Sequence, residues 1–488
     1  MNKTKVVISL FLFFFFLCAF LYYEQPGILQ LDLVGMATYA EYIILGEKLV
    51  SSPLDLAPYE HGVIPWRTGN QLLTTATFFV LSKVSVTSAE HAVFLTQFIF
   101  GSFGIVFLYL FLFQLYHKHV PAFFSALIFG LSVPLFNAVL SKDHGTEFFF
   151  AFGSFYFLSH ALEKNKAIYF FMSSLFLGLL LWMREAGLFF PLLLYGFFIV
   201  QIVTSASPQK KIAYNKEIVN MKNISLLFFP YIILASFALY FYVFTLLKNA
   251  TSDLNAAFFT YTSQIVAHIL EWYPALFFLL VFIGLVYALL RKEKTVLFFF
   301  SMIILFFILF TKNATFDLRH LGIYVFFPAS VIICYGLCSL ENRKVQYGAY
   351  FLTGILCIQL FVPGIALFEQ RKEHIYTEEF GLGIASVVPA DGIVFVQKDF
   401  CLFVAYYAKR TCQGMPTSTD TFDAVLASGK RVFVFYEAGF GFYDDTMKAA
   451  IEEKYILASV YSGKFETFHH ADLDPQIYDE QLIEIKVK

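Results

Sequence analysis

The chain has 488 residues, of which 59% are hydrophobic and 14% charged, and phenylalanine alone occupies 65 positions. This composition excludes a soluble globular protein and predicts a polytopic α-helical membrane protein. The formal net charge of -2 averages over segments of opposite character, so it indicates neither a nucleic-acid partner nor an acidic one.

Apolar segments long enough to cross a bilayer recur along the chain. A span needs about 20 mostly apolar residues, and by this criterion we predict about eleven transmembrane helices. They lie near residues 5–23, 90–115, 120–139, 147–161, 167–182, 186–203, 224–246, 269–290, 295–311, 321–339 and 346–366. Two alternatives stay open at this point: 5–23 as a cleaved signal peptide, and 167–203 as one bent hairpin.

The loops between these segments alternate in character. The lysine-rich loops contain Lys3 and Lys5, 117–119, 163–166, 210–222, 291–294 and 341–344. By the positive-inside rule these loops are cytoplasmic. The other loops, together with residues 370–488, are then predicted to be extracytoplasmic.

Two parts of the chain outside the spans have their own character. Residues 24–89 carry enough charge to be an outer loop with interfacial amphipathic helices, so we assign them to a transmembrane domain of residues 1–369. Residues 370–488 alternate short β-rich runs, at 392–396, 431–436 and 482–487, with helix-like stretches, which predicts an extracytoplasmic α/β domain. Within it, Cys401 and Cys412 are permitted to form a disulfide.

Acidic residues mark two of the predicted outer loops. Asp32 follows the first span at the start of a probable helix, where an N-terminal cap is the simpler explanation. Asp143 and Glu147 are four residues apart at the entrance to the fourth span, so a helix would carry both on one face. They could there share a cation, although helix capping and interaction with the helix dipole explain them nearly as well.

Basic residues lie in two other predicted outer loops. Arg319 and His320 open the tenth span, and Arg184 lies at the tip between the fifth and sixth spans. An arginine at an apolar boundary can simply extend toward the interface. In combination with the acids, however, these residues suit a reaction on a lipid-borne anion: a carboxylate takes a proton from an acceptor, and arginine neutralises a departing phosphate.

Several segments, in this order, resemble the GT-C superfamily of membrane glycosyltransferases, especially the branch of protein O-mannosyltransferases and aminoarabinose transferases (glycosyltransferase family 39-like). The similar segments are LDLVGMATYAEYI, SKDHGTEFFFAFGSFYFL, GLLLWMREAGLFFPLLL, RHLGIYVFFPASVI and VVPADGIVFVQKDFCLFVAYYAKR. The resemblance covers most of residues 1–410 by pattern.

The resemblance implies an integral membrane hexosyl- or pentosyltransferase of the bacterial plasma membrane. It would move a sugar from a polyprenyl-phosphate donor to a lipid, glycan or protein acceptor on the non-cytoplasmic face. Asp32 would be the general base, Asp143 and Glu147 the second acidic position, and Arg319, His320 and Arg184 the donor-phosphate contacts. The common Asp-Glu pair is absent because Leu33 follows Asp32, so a divalent metal is allowed but not required.

Two other functions are compatible with many spans. A lipid-linked glycan flippase or polymerase should line a membrane-deep cavity with cations, and a secondary transporter should show broken spans in two related halves. Charges are scarce at the centres of the predicted spans, and the two halves do not match. Both observations favour the transferase.

Overall fold

The structure is a computed structural model, in which residues 3–24, 31–46, 68–84, 88–140, 142–205, 220–249, 262–310, 321–372, 376–396, 401–436, 445–467 and 476–488 are described. The chain divides into two compact units. The first unit comprises Met1–Tyr23 and Thr96–Glu369, and the second comprises Glu24–Leu95 and Gln370–Lys488. The contact grouping therefore places the first outer loop with the carboxyl-terminal region, whereas the sequence prediction had assigned it to the transmembrane domain.

Each predicted apolar segment corresponds to helix. The α-helices between residues 3 and 372 are α1 (Lys3–Tyr22), α2 (Leu31–Leu45), α3 (Thr68–Ser82), α4 (Ala89–Tyr116), α5 (His119–Leu131), α6 (Val133–Leu140), α7 (His144–Lys164), α8 (Ala167–Met183), α9 (Phe190–Ser205), α10 (Met221–Asn249), α11 (Thr262–Trp272), α12 (Ala275–Arg291), α13 (Lys294–Phe310), α14 (Phe327–Ser339) and α15 (Arg343–Lys372). A π-helical turn, Gly322–Phe326, leads into α14.

Among the described residues, fewer single helices qualify as spans by length and composition than the eleven that the pattern predicted. Among the described residues, five helices are long and apolar enough to cross a membrane, or up to seven if each bent pair is one span. The predicted span 120–139 is one such pair, since α5 and α6 meet at a bend of 66°. Pro134 explains the break, because proline fits the first turn of a helix but does not continue one. Eleven crossings remain a prediction.

The region 167–203 forms two helices joined by a short turn, and its assignment to two spans or to one bent hairpin stays a prediction. Helix α8 ends at Met183, a 3-10 turn spans Glu185–Leu188, and α9 begins at Phe190. The turn needs Gly187, because a Cβ there would lie 2.9 Å from the backbone nitrogen of Leu181. The turn therefore packs back against the last residues of α8.

Aromatic side chains build the interior of the first unit. Phe155 of α7 packs against Phe111, Phe197 and Phe327, with ring centroids 5.2, 5.4 and 4.9 Å apart. These four side chains are completely buried. Edge-to-face packing of this kind adds about 0.5–1.5 kcal/mol per pair beyond burial, so the phenylalanine bias also serves the protein interior.

The predicted cytoplasmic loops of the first unit lie together. Lys118 donates to the carbonyl of Cys338 at 2.6 Å, and Arg291 pairs with Glu341 at 2.7 Å. Further contacts at the same helix ends join Asn165 to Asn223, Gln114 to Glu163 and Lys5 to the ring of Phe113. The fold of the first unit therefore brings together loops that the alternation of lysine-rich loops had assigned to one side of the membrane.

Helix α3 of the second unit buries polar side chains and exposes apolar ones. It buries Asn70, Gln71 and Thr74, whereas Leu72 and Phe79 are half-exposed. An exposed apolar face is costly in water and favourable against acyl chains. This arrangement supports the predicted interfacial helix in the first outer loop.

A five-stranded sheet forms the carboxyl-terminal part of the second unit. The elements that follow α15 are α16 (Tyr376–Val387), β1 (Ile393–Val396), α17 (Cys401–Phe403), β2 (Thr411–Gly414), α18 (Asp420–Ala427), β3 (Val432–Phe435), α19 (Asp445–Lys454), β4 (Tyr455–Thr467) and β5 (Gln476–Val487). The strand order is β2-β1-β3-β5-β4, parallel from β2 to β3 and antiparallel thereafter. An α/β domain is therefore present.

Cys401 and Cys412 are joined by a disulfide, which the sequence had only permitted. The bond ties α17 to the start of β2. Cys18, Cys334 and Cys357, in contrast, are unpaired thiols inside helices. Disulfides persist in oxidising compartments, so this bond supports an extracytoplasmic second unit.

Candidate functional site

The candidate site begins where α7 starts. Asp143 immediately precedes the helix, and His144 and Glu147 occupy its first turn. Their side chains are at most 2% exposed. Gly145 allows this turn to press against α4, because a Cβ there would lie 2.1 Å from the carbonyl oxygen of Gln97. Close helix packing therefore removes the polar start of α7 from solvent.

Arg184 reaches the same place from the short turn between α8 and α9. Its backbone is extended, with φ of -154° and ψ of 147°, and its amide still caps α8 by donating to the carbonyl of Leu180. The side chain is only 3% exposed. A buried arginine requires anionic or acceptor partners, since its guanidinium carries a permanent charge and five donors.

The partners of Arg184 come from α7. Its Nη1 donates to Asp143 Oδ1 at 2.8 Å and to His144 Nε2 at 2.6 Å, and its Nε lies 3.6 Å from Glu147 Oε2. His144 Nδ1 in turn contacts Glu147 Oε2. We call these four residues the Arg184 cluster. One cation is thus shared by the two acids that the sequence placed on one helix face.

The contacts assign protons within the Arg184 cluster. A guanidinium only donates, so His144 Nε2 must accept from Arg184. Nδ1 then carries the imidazole proton and donates it to Glu147. In this arrangement His144 is neutral, and its Nδ1–H group holds the carboxyl group of Glu147 in place.

Helix capping, the alternative explanation for Asp143, does not describe its side chain. Asp143 occupies the N-cap position but makes no side-chain cap hydrogen bond, and its carboxylate pairs with Arg184 instead. Removing both charges from water costs several kcal/mol, which good pairing geometry only just offsets. A buried cluster of this kind therefore indicates either a structural lock or a site where charge is used.

Three of the predicted site residues lie wholly or partly outside the described residues. Arg319 and His320 lie outside the described residues, as does the side chain of Asp32. The backbone of Asp32 belongs to the first turn of α2. Of the predicted site residues, the structure therefore brings together Asp143, Glu147 and Arg184, and it adds His144.

Sequence reasoning missed His144, although a signal for it was present. His144 and Glu147 are three residues apart, a spacing that places side chains side by side on a helix. Its contact with Arg184, 40 residues away, depends on tertiary packing and had no local signal.

A metal site needs several His, Cys, Asp or Glu side chains close together, and the described part of the chain can be compared with this requirement. There, no group of three or more His, Cys, Asp or Glu side chains is arranged to hold a metal ion. In the Arg184 cluster both carboxylates already have a guanidinium or imidazole partner.

Comparison by sequence gives no relative: no family model matches the chain, and no curated protein matches it. Comparison by structure gives several similar proteins. ArnT from Cupriavidus metallidurans superposes with a TM-score of 0.61 at 9% identity, over 99% of this chain and 97% of that one. Its complex with undecaprenyl phosphate gives a TM-score of 0.59 over 99% and 98%.

A second similar structure is the archaeal oligosaccharyltransferase AglB from Archaeoglobus fulgidus, in complex with an inhibitory peptide and a dolichol-phosphate. Its TM-score is 0.56 at 12% identity, covering 89% of this chain and 70% of that one. At such low identity the likeness concerns the fold. The chain therefore shares the fold of ArnT and AglB, in agreement with the resemblance noted in its sequence motifs.

Proposed function

We propose that the chain is an integral membrane glycosyltransferase that uses a polyprenyl-phosphate-linked sugar donor. The observation that carries the proposal is the correspondence of nearly the whole chain with ArnT, whose structure holds undecaprenyl phosphate. The dolichol-phosphate in AglB supports the same kind of donor. The acceptor is a lipid, glycan or protein, and the transferred sugar a hexose or pentose.

The reaction is a substitution at the anomeric carbon. A nucleophilic group of the acceptor forms the new bond to this carbon while the bond to the phosphate oxygen breaks. The acceptor proton passes to a carboxylate, and polyprenyl phosphate leaves with the electron pair. Two demands follow: a base for the acceptor, and fixed positive charge for the leaving phosphate.

We assign the base to Asp32 and the phosphate contact to Arg319 and His320. Asp143 and Glu147 supply the second acidic position. For Arg184, contacts with Asp143 and His144 support a role in holding these acids. Its direct contact with the donor phosphate stays a prediction.

We place the reaction and the second unit on the non-cytoplasmic face of a bacterial plasma membrane. The lysine alternation and the grouped loops of the first unit support this orientation. The disulfide Cys401–Cys412 supports it independently, because cytosolic thiols are kept reduced.

Cysteine labelling tests the orientation. A cysteine at Asn342, in the exposed turn between α14 and α15, should resist a membrane-impermeant thiol reagent in intact cells and react after lysis. A cysteine at Ser428, exposed after α18, should react in both conditions. The parent chain supplies the background. Labelling of Asn342→Cys in intact cells, or protection of Ser428→Cys, would reverse the proposed sidedness.

A donor assay tests the function. The purified chain in lipid nanodiscs is given polyprenyl-phosphate-linked hexoses and pentoses with a membrane extract as acceptor source, and released polyprenyl phosphate is quantified by mass spectrometry. We expect release with at least one donor, and a loss of about 30–1000-fold for Arg319→Ala, the effect of losing one charged contact in the transition state. Arg319→Lys should recover only part, since it lacks the two-pronged geometry. Unassisted passage of an intact lipid-linked glycan across the bilayer, without release, would indicate a flippase instead.

A further inference from the structure

Residues 401–412 contact helix α2 through two polar side chains, those of Tyr406 and Lys409. Tyr406 lies in a π-helical turn, Val404–Ala408, and is 7% exposed. Its hydroxyl donates to Glu41 Oε1 of α2 at 3.3 Å, and Lys409 Nζ donates to Glu41 Oε2 at 3.0 Å. Both oxygens of one carboxylate are therefore held by one short segment.

The neighbouring tyrosine makes a parallel contact with a different helix. Tyr407 donates to Glu90 Oε1, in the first turn of α4, at 2.6 Å. Burial and the carboxylates of Glu90 and Glu41 raise the pKa of Tyr406 well above its usual value. The Tyr406 hydroxyl consequently remains a donor at any physiological pH.

The segment that makes these contacts is itself firmly held. The Cys401–Cys412 disulfide closes it, and Arg410 donates to the carbonyls of Val388 and Ala385 at 2.6 and 2.8 Å. These two acceptors lie at the end of α16. A segment anchored at both ends can hold a neighbouring helix because little entropy remains to be lost on contact.

Glu41 shares α2 with Asp32, nine residues earlier. At 1.5 Å per residue, the two are separated by about 14 Å along the helix axis. Since α2 is a single helix, a contact at Glu41 restricts the rotation and axial position of its whole length. Restricting a base to its productive geometry is a recognised source of catalytic rate.

From these contacts we infer that Tyr406 and Lys409 are positioning residues for the transfer reaction: by clamping Glu41, they set the placement of the helix that carries the candidate base Asp32. The inference rests on the proposed function. The clamp joins the segment 401–412 and α2, both within the second unit.

The test combines turnover with hydrogen exchange in the full-length protein. The double variant Tyr406→Phe, Lys409→Met should lower kcat by about 5–20-fold, the effect of losing two hydrogen bonds, with donor KM unchanged. Amides of 31–45 should exchange faster, while those of β1 and β3 do not change. The exchange of charges, Glu41→Lys combined with Lys409→Glu, should have a higher kcat than either single charge reversal.

Tyr436→Phe is the matched control, because that hydroxyl also donates to a glutamate, Glu452, but away from α2. It should leave both measurements at wild-type values. Unchanged exchange in 31–45 of the double variant would overturn the clamp, and faster exchange with wild-type kcat would overturn its positioning role. If the wild-type protein itself is inactive, the proposed function is refuted. The hydrogen-exchange measurement still tests the contact at Glu41, because it does not depend on turnover.

Discussion

Replacing Arg184 with alanine is expected to destabilise the first unit and abolish transfer. The substitution leaves the carboxylates of Asp143 and Glu147, whose side chains are each 2% exposed, without their shared guanidinium. Breaking a buried pair by removing one partner costs about 3–5 kcal/mol. Thermal unfolding in detergent should report this loss, and the release assay the activity.

Partial substitutions separate folding from chemistry at Arg184. Arg184→Lys keeps the charge but cannot contact Asp143 and Glu147 in the same way, so it should recover some stability. Arg184→Gln combined with Asp143→Asn removes opposite charges and should be more stable than Arg184→Gln alone, yet inactive. Wild-type stability of Arg184→Ala would refute the lock. A raised donor KM in Arg184→Lys would show that Arg184 also contacts the phosphate.

The helices were predictable because length and apolarity decide them. A buried or lipid-facing segment must satisfy its own backbone hydrogen bonds, and a helix does this locally. What the pattern did not provide was continuity: 120–139 bends at Ser132, where the extended backbone precedes Pro134. Hydropathy does not register such a break, because both halves remain apolar.

The sheet was predicted in part for a similar reason. Strands β1, β3 and β5 have compact apolar or alternating runs, and the sequence indicated all three. Strands β2 (Thr411–Gly414) and β4 (Tyr455–Thr467) were missed. The register of β4 shifts between Ser459 and Tyr461, which breaks the two-residue alternation that identifies a strand.

The candidate site was predicted as residues but not as a geometry. Spacing placed Asp143 and Glu147 on one face of α7, because helix periodicity is local. The loop alternation put Arg184 on the same side of the membrane. Their direct contact required α8 to end at Met183 and α7 to pack on Gln97, and both are tertiary events.

Asp32→Asn is expected to lower turnover by about 10²–10⁴-fold if Asp32 accepts the acceptor proton, since an amide cannot act as a base. Donor KM should stay near wild type, because the substitution preserves the size of the side chain. In the first turn of α2, the charge alone contributes only about 0.3–1 kcal/mol through the helix dipole. Folding should therefore be nearly unaffected.

The control for Asp32→Asn is Glu24→Gln, which removes one negative charge from the same outer loop. Burial raises the pKa of Glu24, with His91 acting in the opposite direction, and neither feature concerns the proposed reaction. Its turnover should stay within about twofold of wild type, as is usual for substitutions away from a site. The pH profile gives an independent reading: wild-type kcat/KM should rise as the base ionises, because only the carboxylate accepts a proton. If Asp32→Asn keeps wild-type turnover and the same profile, the base is another acid, and Asp143→Asn with Glu147→Gln become the next variants to measure.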